Sequence, residues 1–454
     1  MTRRIPEMNL EKKLETADYR AVRSALPARS VLAEFVRFEV FDFGAVVARG
    51  DARWKPARYA VFIVPSEQTS RIRMIDLGDA TTIDGFISEA RSTIVAGGER
   101  RPQRSTLERL RRAVFDPLCP EMNGVTRLFV VPDGDIALFP FEVLPGQGEV
   151  DSLIESYQIS YLASGRDALN IRADAERPSA PVVIADPDFD LGSTIPSGKE
   201  PPGRRSRASA IASMHFGRLP GTRTEGMQIA RMLSTRLGAA ILPWLDSAAL
   251  ESRVKELKSP WILHVATHGF FLADQPASLG QRLRDLGAIE WPSGEALFSP
   301  DPLFENPLLR SGLALAGANW KSKGFTPPSE AEDGLLTAED VAGLDLLSTE
   351  LVVLSACETG LGEVRIGEGV FGLRRTFALC GAKTLVMSLW KVPDAETQEL
   401  MEDFYRRVLA GEARAEALRQ SQLGVKRKRP EPVFWGAFIC QGDPGPMNSP
   451  TANL

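Results

Sequence analysis

Two stretches of the chain each carry an apolar run up to a side chain that can react. Trp261-Ile-Leu-His-Val-Ala-Thr-His268-Gly269 reads as a strand over 262–266 that gives out at His268, and Leu351-Val-Val-Leu-Ser-Ala-Cys357 as a strand over 351–355 that gives out before Cys357. If the two strands are neighbours, the imidazole can accept or stabilise the thiol proton. That raises the thiolate fraction of a group whose ordinary pKa is about 8.5. Gly269 lets backbone approach a substrate carbonyl closely, so its N–H and that of Cys357 are candidate oxyanion donors. Against this chemistry stands the commonest use of a cysteine after an apolar strand, which is as an inert small hydrophobe.

The inventory of reactive residues narrows the alternatives. The chain has three histidines and four cysteines. The first histidine is His215, so the first 214 residues cannot build a Cys–His pair by themselves. Cys380 and Cys440 sit in apolar surroundings expected to be core, and Cys119 is flanked by prolines. The pair His264-x3-His268 does not suit a metal, because four residues along a strand separate side chains by roughly 13 Å. No CxxC pair is present, so neither metal nor cofactor is expected. Gly367-x-Gly369-x-x-Gly372 matches a dinucleotide fingerprint only formally, since it begins well after the preceding strand.

These residues need a scaffold that brings strand ends together. In the first third, β-branched and aromatic runs at 31–43, 59–64, 72–77, 128–131 and 159–162 alternate with helical patterns at 83–95 and 105–114. A second series has strands expected at 182–185, 239–242, 262–266, 351–355, 384–388 and 433–439. Its helices are expected at 224–236, 247–257, 369–379 and 395–409. That alternation predicts an α/β fold with mainly parallel sheets flanked by helices, in which chemistry collects beyond the carboxyl ends of the strands. The expected division is a leading helix within 1–28, one domain over 29–175, a second over 176–445 and a flexible tail over 446–454. Residues 188–216 read as a mobile loop and 273–349 as a long insertion with a helix opening at Thr337.

A net charge of −5 gives no electrostatic case for nucleic acid, and the charged start lacks the apolar segment of a secretory signal. No apolar run approaches the roughly 20 residues that span a bilayer. The expected partners therefore include neither nucleic acid nor membrane, and a reducing cytoplasm fits the few scattered cysteines.

Several motifs in order carry a resemblance. Ala-Thr-His268-Gly-Phe-Phe, Leu-Ser-Ala-Cys357-Glu-Thr-Gly-Leu-Gly, Gly367-Glu-Gly-Val-Phe-Gly-Leu-Arg-Arg and Ser388-Leu-Trp-Lys-Val-Pro-Asp394 together resemble the CHAT domain family, which groups with caspases and separase among cysteine peptidases. Pro132-Asp-Gly-Asp-Ile-Ala-Leu-Phe-Pro-Phe extends the likeness upstream. The resemblance implies a non-catalytic caspase-like half followed by a catalytic one, with Cys357 as nucleophile. It selects His268 over His264 as base, because the family's histidine precedes glycine. It also implies a cysteine endopeptidase acting on a protein partner in regulated bacterial signalling or defence, and a separate regulatory protein is a further partner it suggests.

Asp394 follows a Trp-containing strand end in an arrangement similar to separase, which implies a carboxylate for a basic P1 side chain; the alternative is a helix N-cap. If cleavage follows basic residues, Gly203-Arg-Arg-Ser-Arg207 and Lys426-Arg-Lys-Arg429 become exposed candidates for self-processing. Two further readings remain: a catalytically silent scaffold that binds partners through the same surface, and a small-molecule cysteine hydrolase that needs a closed pocket.

Overall fold

The computed structural model describes residues 18–44, 54–67, 71–97, 104–148, 150–170, 177–191, 214–271, 307–320, 331–355, 357–358 and 368–450. Its strands are β1 (Ser30–Phe41), β2 (Trp54–Pro65), β3 (Arg73–Asp79), β4 (Arg127–Val131), β5 (Gln158–Tyr161), β6 (Val182–Pro187), β7 (Trp244–Asp246) and β8 (Ile262–Ala266). There follow β9 (His268–Phe271), β10 (Ser311–Ala314), β11 (Leu335–Thr337), β12 (Leu351–Leu354), β13 (Cys357–Glu358), β14 (Thr384–Ser388) and β15 (Phe438–Gly442). The α-helices are α1 (Tyr19–Ala25), α2 (Ala80–Gly97), α3 (Arg104–Val114), α4 (Leu153–Ser156), α5 (Pro220–Leu237) and α6 (Glu251–Lys255). The series ends with α7 (Ala338–Ala342), α8 (Glu368–Leu379), α9 (Asp394–Leu409), α10 (Arg414–Lys428) and α11 (Pro432–Trp435).

Eleven strands form one sheet in the order β3-β2-β1-β4-β5-β15-β14-β12-β8-β6-β7. Most neighbours are parallel; β1–β2, β2–β3 and β14–β15 are antiparallel. The central strands β8, β12 and β14 are buried along their whole length, which is why they read as unbroken apolar runs instead of alternating ones. A mainly parallel α/β sheet flanked by helices is the expected fold class.

The strands before residue 162 and those after 182 share this one sheet. They meet where β5 pairs in parallel with β15, Tyr161 opposite Gln441. The seam is polar at its centre. The fully buried Glu142 accepts a hydrogen bond from the Tyr161 hydroxyl at 2.7 Å, and Arg374, 3% exposed, donates to Gln441 Oε1 and to the Ala137 carbonyl, both at 2.8 Å. Burial pushes the Glu142 carboxyl up to about 7 and pulls the Arg374 guanidinium down to about 10. One hydrophobic cluster runs from Val31 and Ile63 at one end of the sheet to Val183 and Leu263 at the other.

Some elements differ from the expectation. The run 239–243 is not a strand; β7 comes later, at 244–246. Residues 432–435 form a short helix, with the last strand at 438–442. Pro432 suits the first turn of that helix, where its missing N–H costs nothing. The helix over 414–428 was not anticipated. It places Lys426, 8% exposed, against Ser152, Glu155 and Asp151, while Arg427, Lys428 and Arg429 are exposed, the first two on the last turn of the helix. The 203–207 run lies outside the described residues, as do the first 17. Helix α7 opens at Thr337 as expected, with a capping box in which the Thr337 side chain and Asp340 bond each other's backbone N–H. No described helix is long and apolar enough to cross a membrane.

Candidate active site

The parallel strands β14, β12 and β8 lie side by side, with Val352 opposite Leu385 on one side and Leu263 on the other. Their carboxyl ends point the same way and lead into Asp394, Cys357 and His268 respectively. Beyond the large sheet, β8 and β12 do not diverge. Ser355 donates its N–H to the Val265 carbonyl at 2.9 Å, and β9 and β13 then continue the pairing in a second sheet of order β11-β10-β9-β13. There Cys357 is the parallel register partner of His268, and Glu358 that of Gly269. The two residues singled out from separate parts of the sequence are therefore backbone neighbours.

His268 is 7% exposed and held from several sides. Its Nε2 lies 2.8 Å from the Gly217 carbonyl. A carbonyl only accepts, so Nε2 carries the proton in this contact and Nδ1 keeps its lone pair. The rings of Phe189 and Phe216 pack against the imidazole at centroid distances of 5.3 and 5.7 Å. Burial lowers the pKa of His268 below its ordinary value, and the positive charge of Lys391 lowers it further, against the opposing effect of the Gly217 carbonyl. A neutral imidazole whose Nδ1 keeps its lone pair can take a proton.

Gly269 is buried within β9, between Leu313 of β10 and Glu358 of β13. Asp394 is the first residue of α9. The N-cap is Pro393, so the N-cap alternative is corrected by one position. A carboxylate in the first turn still complements the helix dipole. Asp394 is exposed, and it leans over the start of α5: a Cβ built on Gly221 would lie 2.2 Å from its Oδ2. Glycine at 221 thus makes room for the Asp394 carboxylate.

The other histidines and cysteines separate cleanly. His264 is fully buried in β8, its Nδ1 3.2 Å from the Tyr405 hydroxyl and its Nε2 3.4 Å from Glu225 Oε1. Glu225 Oε2 also accepts from the Ser355 hydroxyl at 3.2 Å, so this polar group ties α5, α9, β8 and the end of β12 together beneath the site. His215 is exposed. Cys380 and Cys440 are buried, and burial pushes the Cys440 thiol up to about 12, which suits inert core residues. Cys119 is half-buried in the first half, its thiol also raised by burial.

Two contributors were missed in the sequence: Gly217 and Gly221. They act through a carbonyl and through missing volume, which no side-chain pattern announces.

Among known proteins, human tetratricopeptide repeat protein 28 (Homo sapiens) is 24% identical over 355 residues, covering 75% of this chain; the chain spans 13% of that relative's length. Two solved structures are similar at low identity. One is the Arg-specific cysteine proteinase gingipain R, with a TM-score of 0.40, 9% identity and coverage of 82% of this chain and 76% of that one. The other is the Saccharomyces cerevisiae separase–securin complex, with a TM-score of 0.44, 8% identity and coverage of 95% and 31%. The CHAT domain profile matches residues 104–443, three quarters of the chain, and on that extent the chain belongs to the CHAT domain family.

Proposed function

We propose that the protein is a cysteine peptidase in which Cys357 is the nucleophile and His268 its base. The observation that carries this reading is the parallel register of the two residues at adjacent strand ends. The neutral imidazole with its proton on Nε2 supports it. In this scheme the Cys357 thiol passes its proton to His268 Nδ1 and the thiolate attacks a peptide carbonyl. The C–N bond breaks as the imidazolium returns the proton to the leaving amine, and water hydrolyses the thioester to free the acid and the thiol. The backbone N–H groups of Gly269 and Cys357 are the proposed donors to the tetrahedral oxyanion. Asp394, beyond the strand next to that of Cys357, is the proposed partner of a basic P1 side chain by a charge-assisted hydrogen bond. The substrate in this reading is another protein.

The test is cleavage of a peptide library and of candidate partner proteins by the wild-type chain, Cys357→Ala and His268→Ala. The expected result is cleavage by wild type only. Equal cleavage by all three would discard the dyad.

A further inference from the structure

We infer that Asn319 is a positioning residue for His268, acting through the backbone of Phe216 and Gly217. This inference rests on the peptidase reading above.

Asn319 is fully buried and lies just after β10, within the insertion that separates the two site strands. Its side-chain amide holds both backbone groups of one residue: Oδ1 accepts from the Phe216 N–H at 2.8 Å and Nδ2 donates to the Phe216 carbonyl at 2.9 Å. The other Nδ2 hydrogen reaches Asp190 Oδ1 at 3.0 Å, and the Asn319 backbone N–H reaches the Phe189 carbonyl at 3.0 Å. One amide therefore fastens together the two short segments that supply Phe189 and Phe216, the rings that flank the imidazole. The next residue after Phe216 is Gly217, whose carbonyl holds His268 Nε2.

The chemistry makes the amide specific. It must accept with one atom and donate twice with the other, a pattern that a carboxylate, a hydroxyl or a methyl group cannot reproduce. On the far side of Gly217, Arg218 forks onto Asp186 at 2.9 and 2.7 Å, so the carbonyl is fixed from both flanks. Glycine between two anchored residues would otherwise leave the carbonyl free to turn. If it turned, His268 would lose the acceptor that keeps the proton on Nε2, and the lone pair would no longer be held on Nδ1, the atom that takes the thiol proton in the peptidase reading. Asn319 thus does through a peptide carbonyl what a side chain hydrogen-bonded to the base does in other nucleophile–base pairs.

The test is ring 15N–1H correlation spectroscopy on the full chain labelled at histidine, which has three residues to assign, with His268→Gln identifying the relevant signals. Wild type should show His268 as the Nε2–H tautomer; a mixed tautomer there would overturn the inference at once. Asn319→Asp, nearly isosteric, and Asn319→Ala should each show a mixed tautomer, with kcat lowered at least tenfold and KM within twofold. A His268 ring signature unchanged in either folded variant would overturn the positioning role whether or not the chain cleaves peptides. An altered ring with unaltered kcat would also overturn it. An altered ring in a chain with no Cys357-dependent cleavage would overturn the peptidase reading alone.

Discussion

Cys357 and His268 are register partners in a parallel strand pair, and the register that joins them is the one already set between Leu351 and Ile262 inside the large sheet. Their proximity is thus inherited from the core. β12 is buried on both faces, so sliding it by one residue would swap side chains between two closely packed surfaces and lose the fit of Val352 and Val353 against β8 and β14. The alignment of the two reactive groups is protected by the burial of Val352, Val353, Leu263 and Val265.

The first prediction concerns thiol reactivity. Cys357 beside a neutral imidazole should react with iodoacetamide at pH 7 at least tenfold faster than the same thiol in His268→Ala, because an unassisted thiol of pKa about 8.5 is only a few per cent ionised there. Peptide mass spectrometry distinguishes Cys357 from Cys119, Cys380 and Cys440. Equal rates in the two proteins would remove His268 from the activation of the thiol.

A second prediction uses the space over Gly221. Gly221→Ala would drive a methyl group into the Asp394 carboxylate, and Asp394→Asn would remove its charge. Both should lower kcat/KM for substrates with Arg or Lys at P1 by tenfold or more while leaving Cys357 alkylation within twofold. Unaltered P1 preference in both would leave Asp394 as a helix-start residue only.

How much of this was legible beforehand depends on the kind of signal. The strands β8, β12 and β14 announced themselves through apolar runs, and His268 and Cys357 through chemistry placed at the ends of those runs. The short pieces were misread. The 239–242 run has strand-like residues but lies mostly exposed beyond α5, and 433–439 merges a helical turn with a strand because both are apolar. The continuity of one sheet through β5 and β15 could not be read from pattern, since a single register pair, Tyr161 with Gln441, makes the join. Gly217 and Gly221 act through backbone and empty space, which composition does not reveal.

The polar seam yields a third prediction, about stability. Glu142 is raised from the ordinary carboxylate range to about 7, so the folded state holds its proton over a pH range in which the unfolded chain has lost it. The favourable contribution of the protonated group is full below the unfolded value of about 4.5 and is lost as pH rises toward 7. Glu142→Gln keeps an acceptor for Tyr161 and cannot ionise. Relative to wild type it should gain stability between pH 5 and 8, by up to about 3 kcal/mol at about 1.4 kcal/mol per pKa unit. Denaturant melts at pH 5 and pH 8 measure this; a pH-independent difference would show that Glu142 does not titrate there.

A fourth prediction concerns the buried group beneath the site. Glu225→Leu leaves the His264 imidazole and the Ser355 hydroxyl without their carboxylate and should cost about 2–4 kcal/mol in a denaturant melt. A loss below about 0.5 kcal/mol would mean that the Glu225 contacts do little to hold α5 against β8 and β12.

The central claim is that Cys357 attacks peptide carbonyls with His268 as its base. Its most direct measurement is trapping of the thioester: rapid quenching of the wild-type chain during cleavage of a peptide after a basic residue, followed by mass analysis of the fragment that bears residue 357. The account predicts an acyl adduct on Cys357 that is absent from Cys357→Ala and accumulates more slowly in His268→Ala. Cleavage that proceeds undiminished in Cys357→Ala, with no adduct on the wild-type thiol, would contradict it.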